Sequence, residues 1–583
     1  MRYVERSTGT PLCAASTRSS LDNRTGSWRF ARPVFVDRVS PCSQRCPAGE
    51  DVAGTLYLAG QGRYEDAWRL IMRENPFPAI MGRVCYHTCE RSCNRVEHDE
   101  AVSIHCIERF LGDLALERDL RVGPLPEPSG KTAALVGAGP AGLSAAYFLR
   151  RLGHDTTVYD DMDRPGGLMR YGIPAYRLPL DVLDGEIGRL ERMGIRFETG
   201  RTLGGDLDLD SLTAEHDAVF LAIGAHGERR LGLEGEDLRG VYRALGFLER
   251  VAEGDFPPAG RRVAVIGGGN SALDCARVSR RLGAEVAVYY RRSEAEMPAH
   301  AEEVAAARDE GVSFELLCAP AAILGESAVT GVRFSRMRLG RPDATGRCRP
   351  EPTGEEFEAE CSAVILATGE FPDPELVPAE VCGPGGATQV DGFGRTRLDK
   401  LFAGGDLAPI QRTVTHAVGS GKRAAAAMDA FMRGTGPDRV ETLFRWGPEG
   451  NVTLDLPGEA ALFPRRNPEA QVVGYHALNP FYFERRPALE AVWVPPQDRL
   501  AGFEEVVRGA DEEAVLREAR RCFNCGSCTD CGNCFVFCPD VSIRKEPGGF
   551  GYEVNLDYCK GCGICVQECP RGAMTLSYPE GDA

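Results

Sequence analysis

The chain has 583 residues, with 68 Lys+Arg against 85 Asp+Glu for a formal charge of −17, and 43% hydrophobic and 26% charged residues. That length accommodates several domains with separate cores, and the composition is ordinary for globular protein. The acidic balance argues against a nucleic-acid partner, which would need a basic face; no apolar run approaches the ~20 residues of a membrane span; and most of the 22 Cys fall at cluster-ligand spacings, which implies a reducing, cytoplasmic setting rather than a secreted disulfide framework.

Residues 1–40 form a polar arm rich in Arg, Ser and Thr. It has no apolar h-region for a secretory signal, and Glu5, Asp22 and Asp37 count against a transit peptide. The arm is expected to pack on the rest of the chain. Residues 41–128 read as a helical domain in which the stretches Val52–Ala59 and Tyr64–Arg73 separate Cys46-Pro47 from Cys85, Cys89 and Cys93. Two thiolate-bearing segments brought together over helices can enclose an iron–sulfur cube; a zinc site is the alternative.

Lys131–Val136 predicts a short apolar strand, followed by Gly137-Ala138-Gly139-Pro140-Ala141-Gly142 and a helical stretch to Leu152. The next strand, Asp155–Tyr159, ends at Asp160. This is G-x-G-x-x-G in the strand–turn–helix setting that it requires, with glycines for close approach of a pyrophosphate to the helix N-terminus and an acid for an adenosine ribose. The pattern returns as strand Arg262–Ile266, turn Gly267-Gly268-Gly269-Asn270-Ser271-Ala272, a helix and strand Glu285–Tyr289. Here Tyr290 replaces the acid and Arg291 and Arg292 follow, which suits a 2′-phosphate and so NADP(H) over NAD(H), unless the two arginines are simply solvated. Later, Gly405-Asp406 ends a strand-like run before the helical stretch Thr415–Phe431, a pairing that in two-dinucleotide flavoproteins holds the flavin ribityl chain. The expected order is a flavin domain in two halves (129–245 and 365–435) with the nicotinamide domain (246–364) inserted.

Residues 436–510 read as a connector. Residues 511–583 contain C-x2-C-x2-C-x3-C-P twice: Cys528, Cys531, Cys534 and Cys538, then Cys559, Cys562, Cys565 and Cys569. In such runs three thiolates hold one [4Fe–4S] cube and the fourth crosses to the other. The expected ligand sets are therefore Cys528, Cys531, Cys534 and Cys569, and Cys559, Cys562, Cys565 and Cys538. The fold class is a multidomain α/β protein: a helical iron–sulfur domain, two Rossmann-like domains for FAD and NADP, and a ferredoxin-like α+β domain.

The run Gly137–Pro179, with Arg164-Pro165-Gly166-Gly167-Leu168 and Tyr171-Gly172-Ile173-Pro174-Ala175-Tyr176-Arg177-Leu178-Pro179, resembles the small (beta) subunit of glutamate synthase, as does Tyr290-Arg291-Arg292 followed by Glu296-Met297-Pro298. The module is also similar to the iron–sulfur flavin half of dihydropyrimidine dehydrogenase and to the large subunit of NADH-dependent ferredoxin:NADP oxidoreductase, over residues 40–435. The resemblance implies FAD on the first fold, with Gly167, Leu168 and Arg177 among its contacts beside Gly137, Gly139, Pro140, Ala141, Gly142, Asp160, Gly405 and Asp406. It implies a [4Fe–4S] cluster on Cys46, Cys85, Cys89 and Cys93, although the spacing of the last three departs from the longer first gap of the relatives. It also implies a second N-terminal cluster, for which Cys42 and Glu108 are present but the upstream C-x2-C is missing. Cys522 and Cys525, left over beside the ferredoxin runs, match that missing piece. Either they complete a composite fourth cluster with Cys42 and Glu108 (or Cys106 in place of Glu108), or they are ordinary packed thiols.

Together these features describe an electron-transfer flavoprotein subunit. It needs no catalytic acid or base, because hydride passes between stacked nicotinamide and flavin. Three or four clusters would link FAD to a partner. The expected partner is ferredoxin or a thiamine-diphosphate 2-oxoacid:ferredoxin oxidoreductase. A true glutamate synthase small subunit, a subunit serving sulfite reductase, and a non-catalytic scaffold are the other readings.

Overall fold

The computed structural model describes residues 2–5, 11–15, 22, 24–228, 230–257, 260–342, 348–383, 387–435, 445–446, 451–454, 456, 469–547 and 549–578. The connector expected at 436–510 lies partly outside the described residues. Among the described residues, no helix is long and apolar enough to cross a membrane.

Strand Thr132–Val136 is buried along nearly its whole length, as a central parallel strand covered on both faces must be. It lies in a five-stranded parallel sheet ordered Leu401–Ala403, Ala218–Leu221, Thr132–Val136, Asp155–Tyr159, Arg196–Glu198. Parallel neighbours need crossovers, and helix Pro140–Arg151 makes the first, its Pro seated in the opening turn where no N–H is needed. Leu401–Ala403 joins this sheet from beyond a second five-stranded parallel sheet, ordered Val241–Arg243, Ala363–Leu366, Arg262–Ile266, Glu285–Tyr290, Ser313–Leu316. One sheet is thus inserted into the other. A three-stranded antiparallel meander, Cys318–Gly325, Val329–Pro342 and Cys348–Glu360, extends from the inserted sheet, and no sequence motif announces it. It is anchored by Phe334, whose ring stacks on Tyr289 at 4.1 Å.

Close backbone contact holds the layers together. A Cβ on Gly421, in helix Val414–Met432, would lie 2.1 Å from the Ala141 carbonyl oxygen. The Ser144 hydroxyl in the facing helix donates to the Val418 carbonyl at 2.8 Å. In the helical domain, Pro78–Val84 crosses Ile104–Glu117 at two glycines: a Cβ on Gly82 would meet the Arg109 backbone at 2.4 Å, and one on Gly112 the Ala79 backbone at 2.2 Å. Lys422, fully buried, pairs with Glu74 at 2.6 Å and donates to the Ala48 carbonyl at 2.5 Å. That ion pair locks the N-terminal helical segment to helix Val414–Met432.

Residues 25–35 lie against the C-terminal segment. Strand Arg32–Phe35 pairs antiparallel with Met574–Ser577 at the C-terminus. Thr25 donates to the Tyr558 carbonyl at 2.7 Å, and Arg29 to the Leu556 carbonyl at 2.6 Å. The N-terminal arm is therefore an edge strand and brace of the ferredoxin-like segment. A Cβ on Gly26 would stand 2.0 Å from the Leu556 oxygen. Gly26→Ala should cost about 1–3 kcal/mol by overpacking and release the brace. Faster deuterium uptake over residues 552–559 in the variant is the expected readout, and unchanged uptake would count against a tight seat.

Candidate functional site

Each of the two glycine turns forms a cradle. Gly137 has φ +108°, and a Cβ there would lie 2.3 Å from the Ala222 oxygen; one on Gly142 would lie 1.9 Å from the Gly137 oxygen. These glycines press strand, turn and helix together. Gly139 between them faces open space, with nothing within 4 Å of where a Cβ would stand. That open side leaves room for a pyrophosphate at the N-terminus of Pro140–Arg151, the arrangement such a glycine turn allows. The second turn repeats this: a Cβ on Gly267 (φ +152°) would strike the Ala367 oxygen at 2.3 Å, Gly269 faces open space, and Ala272 is buried against the turn.

Around the first cradle, Asp160 is buried and accepts the Ala138 and Met162 N–H groups at 2.5 and 3.0 Å. Gly167 (φ +52°) sits against Gly139, and Leu168 opens the short helix Leu168–Tyr171. Gly405 (φ +63°) approaches Ala141, which carries Asp406 to the same turn. Asp406 Oδ1 is buried with no partner among the described residues, and burial pushes the carboxyl up to about 6. A buried acceptor in need of a donor fits a ribityl hydroxyl. Arg177, expected as a flavin contact, is ion-paired across the two sheets. Its guanidinium is held by Asp274 at 2.9 Å and Glu303 at 3.1 Å, both in the inserted domain. Its charge is committed to the seam between the domains, because a buried guanidinium needs carboxylates around it.

At the second cradle, Asn270 donates to the Tyr86 hydroxyl at 2.7 Å and accepts the His300 N–H at 2.9 Å, so this turn touches the N-terminal helical segment one residue from Cys85. The Ser271 hydroxyl lies 3.4 Å from Glu370. Arg292 donates to the Cys348 carbonyl of the meander at 3.0 Å, and Arg291 is exposed at the strand end.

The thiols form a succession of groups. The Thr415 hydroxyl, in the first turn of Val414–Met432, donates to Cys85 Sγ at 3.1 Å. Cys46 is flanked by Glu50, Cys85 and Glu108; burial first, then these negative neighbours, raises its thiol well above the ordinary range. Cys85 is pushed up to about 12 by burial and then by Glu108. Cys89 faces Cys85 and Cys46. Cys42 is instead flanked by Cys93 and Cys522, and Cys525 by Cys42 and Cys93, each again raised chiefly by burial. Asn94, next to Cys93, donates to Cys525 Sγ at 3.4 Å, and Arg95 donates to the Arg521 carbonyl at 2.6 Å. In this arrangement Cys93 and Glu108 have neighbours other than the expected ones. Cys93 goes with Cys42, Cys522 and Cys525, because the turn it opens is bound to the 521–525 segment. Glu108 goes with Cys46, Cys85 and Cys89, because Asn75 ties it at 3.0 Å to the same network as Glu50 (2.8 Å). Cys106 points elsewhere, its sulfur 3.2 Å from the His105 ring. In the C-terminal segment, Cys534 is flanked by Cys528, Cys569 and Cys531, and Cys565 by Cys559, Cys538 and Cys562. Buried thiols that repel each other's charge are stabilised once a cluster takes them as thiolates, so these sets fit iron–sulfur groups. Thr415 and Asn94 carry no motif, and the sequence holds no signal for either. His416, near the helix start, is buried with its ring 2.7 Å from the Thr413 hydroxyl, a capping position.

Comparison with known proteins agrees with this geometry. The pyridine nucleotide-disulphide oxidoreductase family model matches residues 131–421, the dihydropyrimidine dehydrogenase domain II 4Fe-4S cluster model residues 36–120, and the 4Fe-4S binding domain model residues 552–575. The beta subunit of NADP(+)-dependent formate dehydrogenase from Moorella thermoacetica is 37% identical over 517 residues, covering 83% of this chain and 70% of the relative. The glutamate synthase [NADPH] small chain of Escherichia coli is 38% identical, covering 66% of this chain and 87% of the relative. The chain belongs to the glutamate synthase small-chain-like family of FAD- and NADP-dependent iron–sulfur oxidoreductases. The beta subunit of NADPH-Fe(3+) oxidoreductase from Geobacter sulfurreducens, 34% identical over 528 residues, covers 84% of this chain and 76% of its own length. This family member is an oxidoreductase with FAD, NADP(H) and [4Fe–4S] clusters.

Two outcomes are expected. The Asp406 carboxyl titrates near 6 in the fold, above the ordinary ~3.9, so the folded chain keeps a proton that the unfolded chain loses first. Stability of deflavinated protein should fall as pH rises from about 4 to about 6, by about 1–3 kcal/mol from this group, and then level off. Asp406→Asn should flatten that fall in urea titrations, and the same variant should retain less flavin on gel filtration. At the other cradle, Arg291→Ala should lower kcat/KM for NADPH about tenfold or more, as expected for loss of one charged phosphate contact, and leave that for NADH unchanged in a diaphorase assay.

Proposed function

We propose that this chain is the NADP(H)-coupled subunit of a larger oxidoreductase, and that its partner is a thiamine-diphosphate 2-oxoacid:ferredoxin oxidoreductase. The supporting observation is the set of thiol groups: Cys85 beside Thr415 of helix Val414–Met432, the Cys42–Cys93–Cys522–Cys525 group, and the two ferredoxin runs, which Arg571 joins to the 522–525 segment through the Phe523 carbonyl. When bound, FAD exchanges electron pairs with nicotinamide and single electrons with iron–sulfur clusters. The chain's own residues position and insulate. Gly137, Gly139 and Gly142 seat one dinucleotide; Asp160 and Asp406 would receive its hydroxyls. Gly267, Gly269, Asn270, Ser271 and Ala272 seat the other, with Arg291 and Arg292 at its phosphate. The proposed ligand sets are Cys46, Cys85, Cys89 with Glu108; Cys42, Cys93, Cys522 with Cys525; Cys528, Cys531, Cys534 with Cys569; and Cys559, Cys562, Cys565 with Cys538.

The fused two-cluster tail supports a partner that trades single electrons, as a 2-oxoacid:ferredoxin oxidoreductase does. A second reading, a formate-oxidising partner, is favoured by the 37% identity to a formate dehydrogenase beta subunit over 83% of the chain. Anaerobic copurification decides between them. The proposal expects a thiamine-diphosphate protein to copurify and 2-oxoglutarate with coenzyme A to bleach the flavin. Bleaching by formate without such a protein would select the second reading.

The ligand sets have their own test. Four clusters give about sixteen irons per flavin, and the Cys522→Ser, Cys525→Ser double variant should give about twelve. Cys93→Ser should remove the same electron paramagnetic resonance signal as that double variant, and Glu108→Ala should alter a different one. If Cys93→Ser instead spares the signal lost with Cys522 and Cys525, the grouping fails.

A further inference from the structure

The loop between two proposed cluster ligands, Cys85 and Cys89, carries a tyrosine that reaches across to the inserted sheet. The Tyr86 hydroxyl accepts a hydrogen bond from the Asn270 side-chain amide at 2.7 Å. Asn270 is the first residue of helix Asn270–Arg281 and follows Gly269, the glycine of the second cradle that faces open space. The other end of the same amide, Oδ1, accepts the His300 N–H at 2.9 Å. The His300 ring stacks on the Tyr86 ring, their centroids 5.5 Å and their planes 17° apart, and its Nε2 takes a hydrogen bond from Arg91 at 2.8 Å. Tyr86, Asn270 and His300 thus close a ring of contacts, and Arg91 ties that ring a second time to the segment that bears the thiols.

The frame around this ring is held on both sides. Helix Asn270–Arg281 and helix Ala301–Asp309, which His300 immediately precedes, are both gripped one turn further on by Arg177, through Asp274 at 2.9 Å and Glu303 at 3.1 Å. A guanidinium so placed needs both carboxylates. On the other side, Cys85 accepts the Thr415 hydroxyl at 3.1 Å. Tyr86 therefore stands between a thiol and a helix N-terminus, with neither free to move away. A phosphate is drawn to the N–H groups of such an N-terminus, and hydrogen bonds in series polarise one another.

We propose that Tyr86 is a positioning residue that links occupancy of the second cradle to the cluster held by Cys85. Its hydroxyl holds the Asn270 amide and so keeps the helix start in shape for a dinucleotide phosphate. The bound dinucleotide is in turn felt one residue away, at Cys85. This inference rests on the placement of NADP(H) and of a Cys85-ligated cluster proposed above. By linkage the effect is reciprocal: a ligand that alters the cluster is itself bound differently by the oxidised and reduced protein.

Electron paramagnetic resonance of the full-length protein, loaded with flavin and clusters and reduced with dithionite, tests this. NADPH is the ligand, because it cannot take electrons from the reduced centres. The signal to follow is the one that Cys85→Ser removes. NADPH should shift its g values in the unaltered protein and leave them in place in Tyr86→Phe, which keeps the ring and its stack on His300 but loses the acceptor for Asn270. His300→Ala, which loses the stack but keeps that acceptor, should retain a smaller shift. Isothermal titration of the oxidised protein with NADP+ should show about fivefold weaker binding in Tyr86→Phe, the worth of one net hydrogen bond, with iron per flavin unchanged. A Cys85-dependent signal that NADPH does not move, or moves equally in Tyr86→Phe, overturns this inference alone. A Cys85→Ser variant that loses no signal overturns the ligand placement and this inference with it.

Discussion

The buried pair Lys422–Glu74 is the constraint on which the arrangement of this molecule depends. An ammonium with no solvent access is tolerable only when a carboxylate and further acceptors surround it, and here the second acceptor is the carbonyl of Ala48. The pair therefore requires the helical domain to lie against helix Val414–Met432. Thr415, two turns before Lys422 on that helix, then has Cys85 within hydrogen-bond distance. The same contact fixes the Cys85–Tyr86 loop so that Tyr86 reaches Asn270 of the inserted domain. One buried charge thus sets the relation of the two glycine turns and the first thiol group.

The far side of the helical domain is completed from the other end of the chain. Helix Glu512–Arg521 packs there, and Glu518 accepts the Ser103 N–H at 2.8 Å while Arg521 pairs with Glu518 at 2.6 Å and Asp99 at 3.3 Å. Arg95 lies in the same network, paired with Asp99 at 2.7 Å. These buried ion pairs deliver Cys522 and Cys525 to Cys42 and Cys93. Arg571 then donates to the Phe523 carbonyl at 2.5 Å, which joins this group to the ferredoxin-like segment. Beyond it, strand Arg32–Phe35 of the N-terminal arm pairs with Met574–Ser577 in a two-stranded sheet.

Part of this architecture is legible in the residues alone. The glycine turns are readable because their demands are local: a strand, positive φ at Gly137 and Gly267, and a helix start. The ferredoxin runs are readable for the same reason, since short thiol spacing is itself the ligand geometry. Arg177 is not, because its motif says nothing about Asp274 and Glu303, which arrive from a domain a hundred residues on. The meander is hidden as well, because its strands alternate weakly and end in charged residues.

The sequence by itself determined the parts: two dinucleotide turns, a paired cluster segment, and enough scattered cysteines for further groups. It also suggested that Cys522 and Cys525 belong with Cys42. Only the tertiary structure decided which cysteine stands beside which, setting Cys93 near Cys42 and Glu108 near Cys46. The reason is physical. Short-range backbone needs are written in adjacent residues, whereas the partners of a buried thiol or charge are chosen by packing among segments that are hundreds of residues apart.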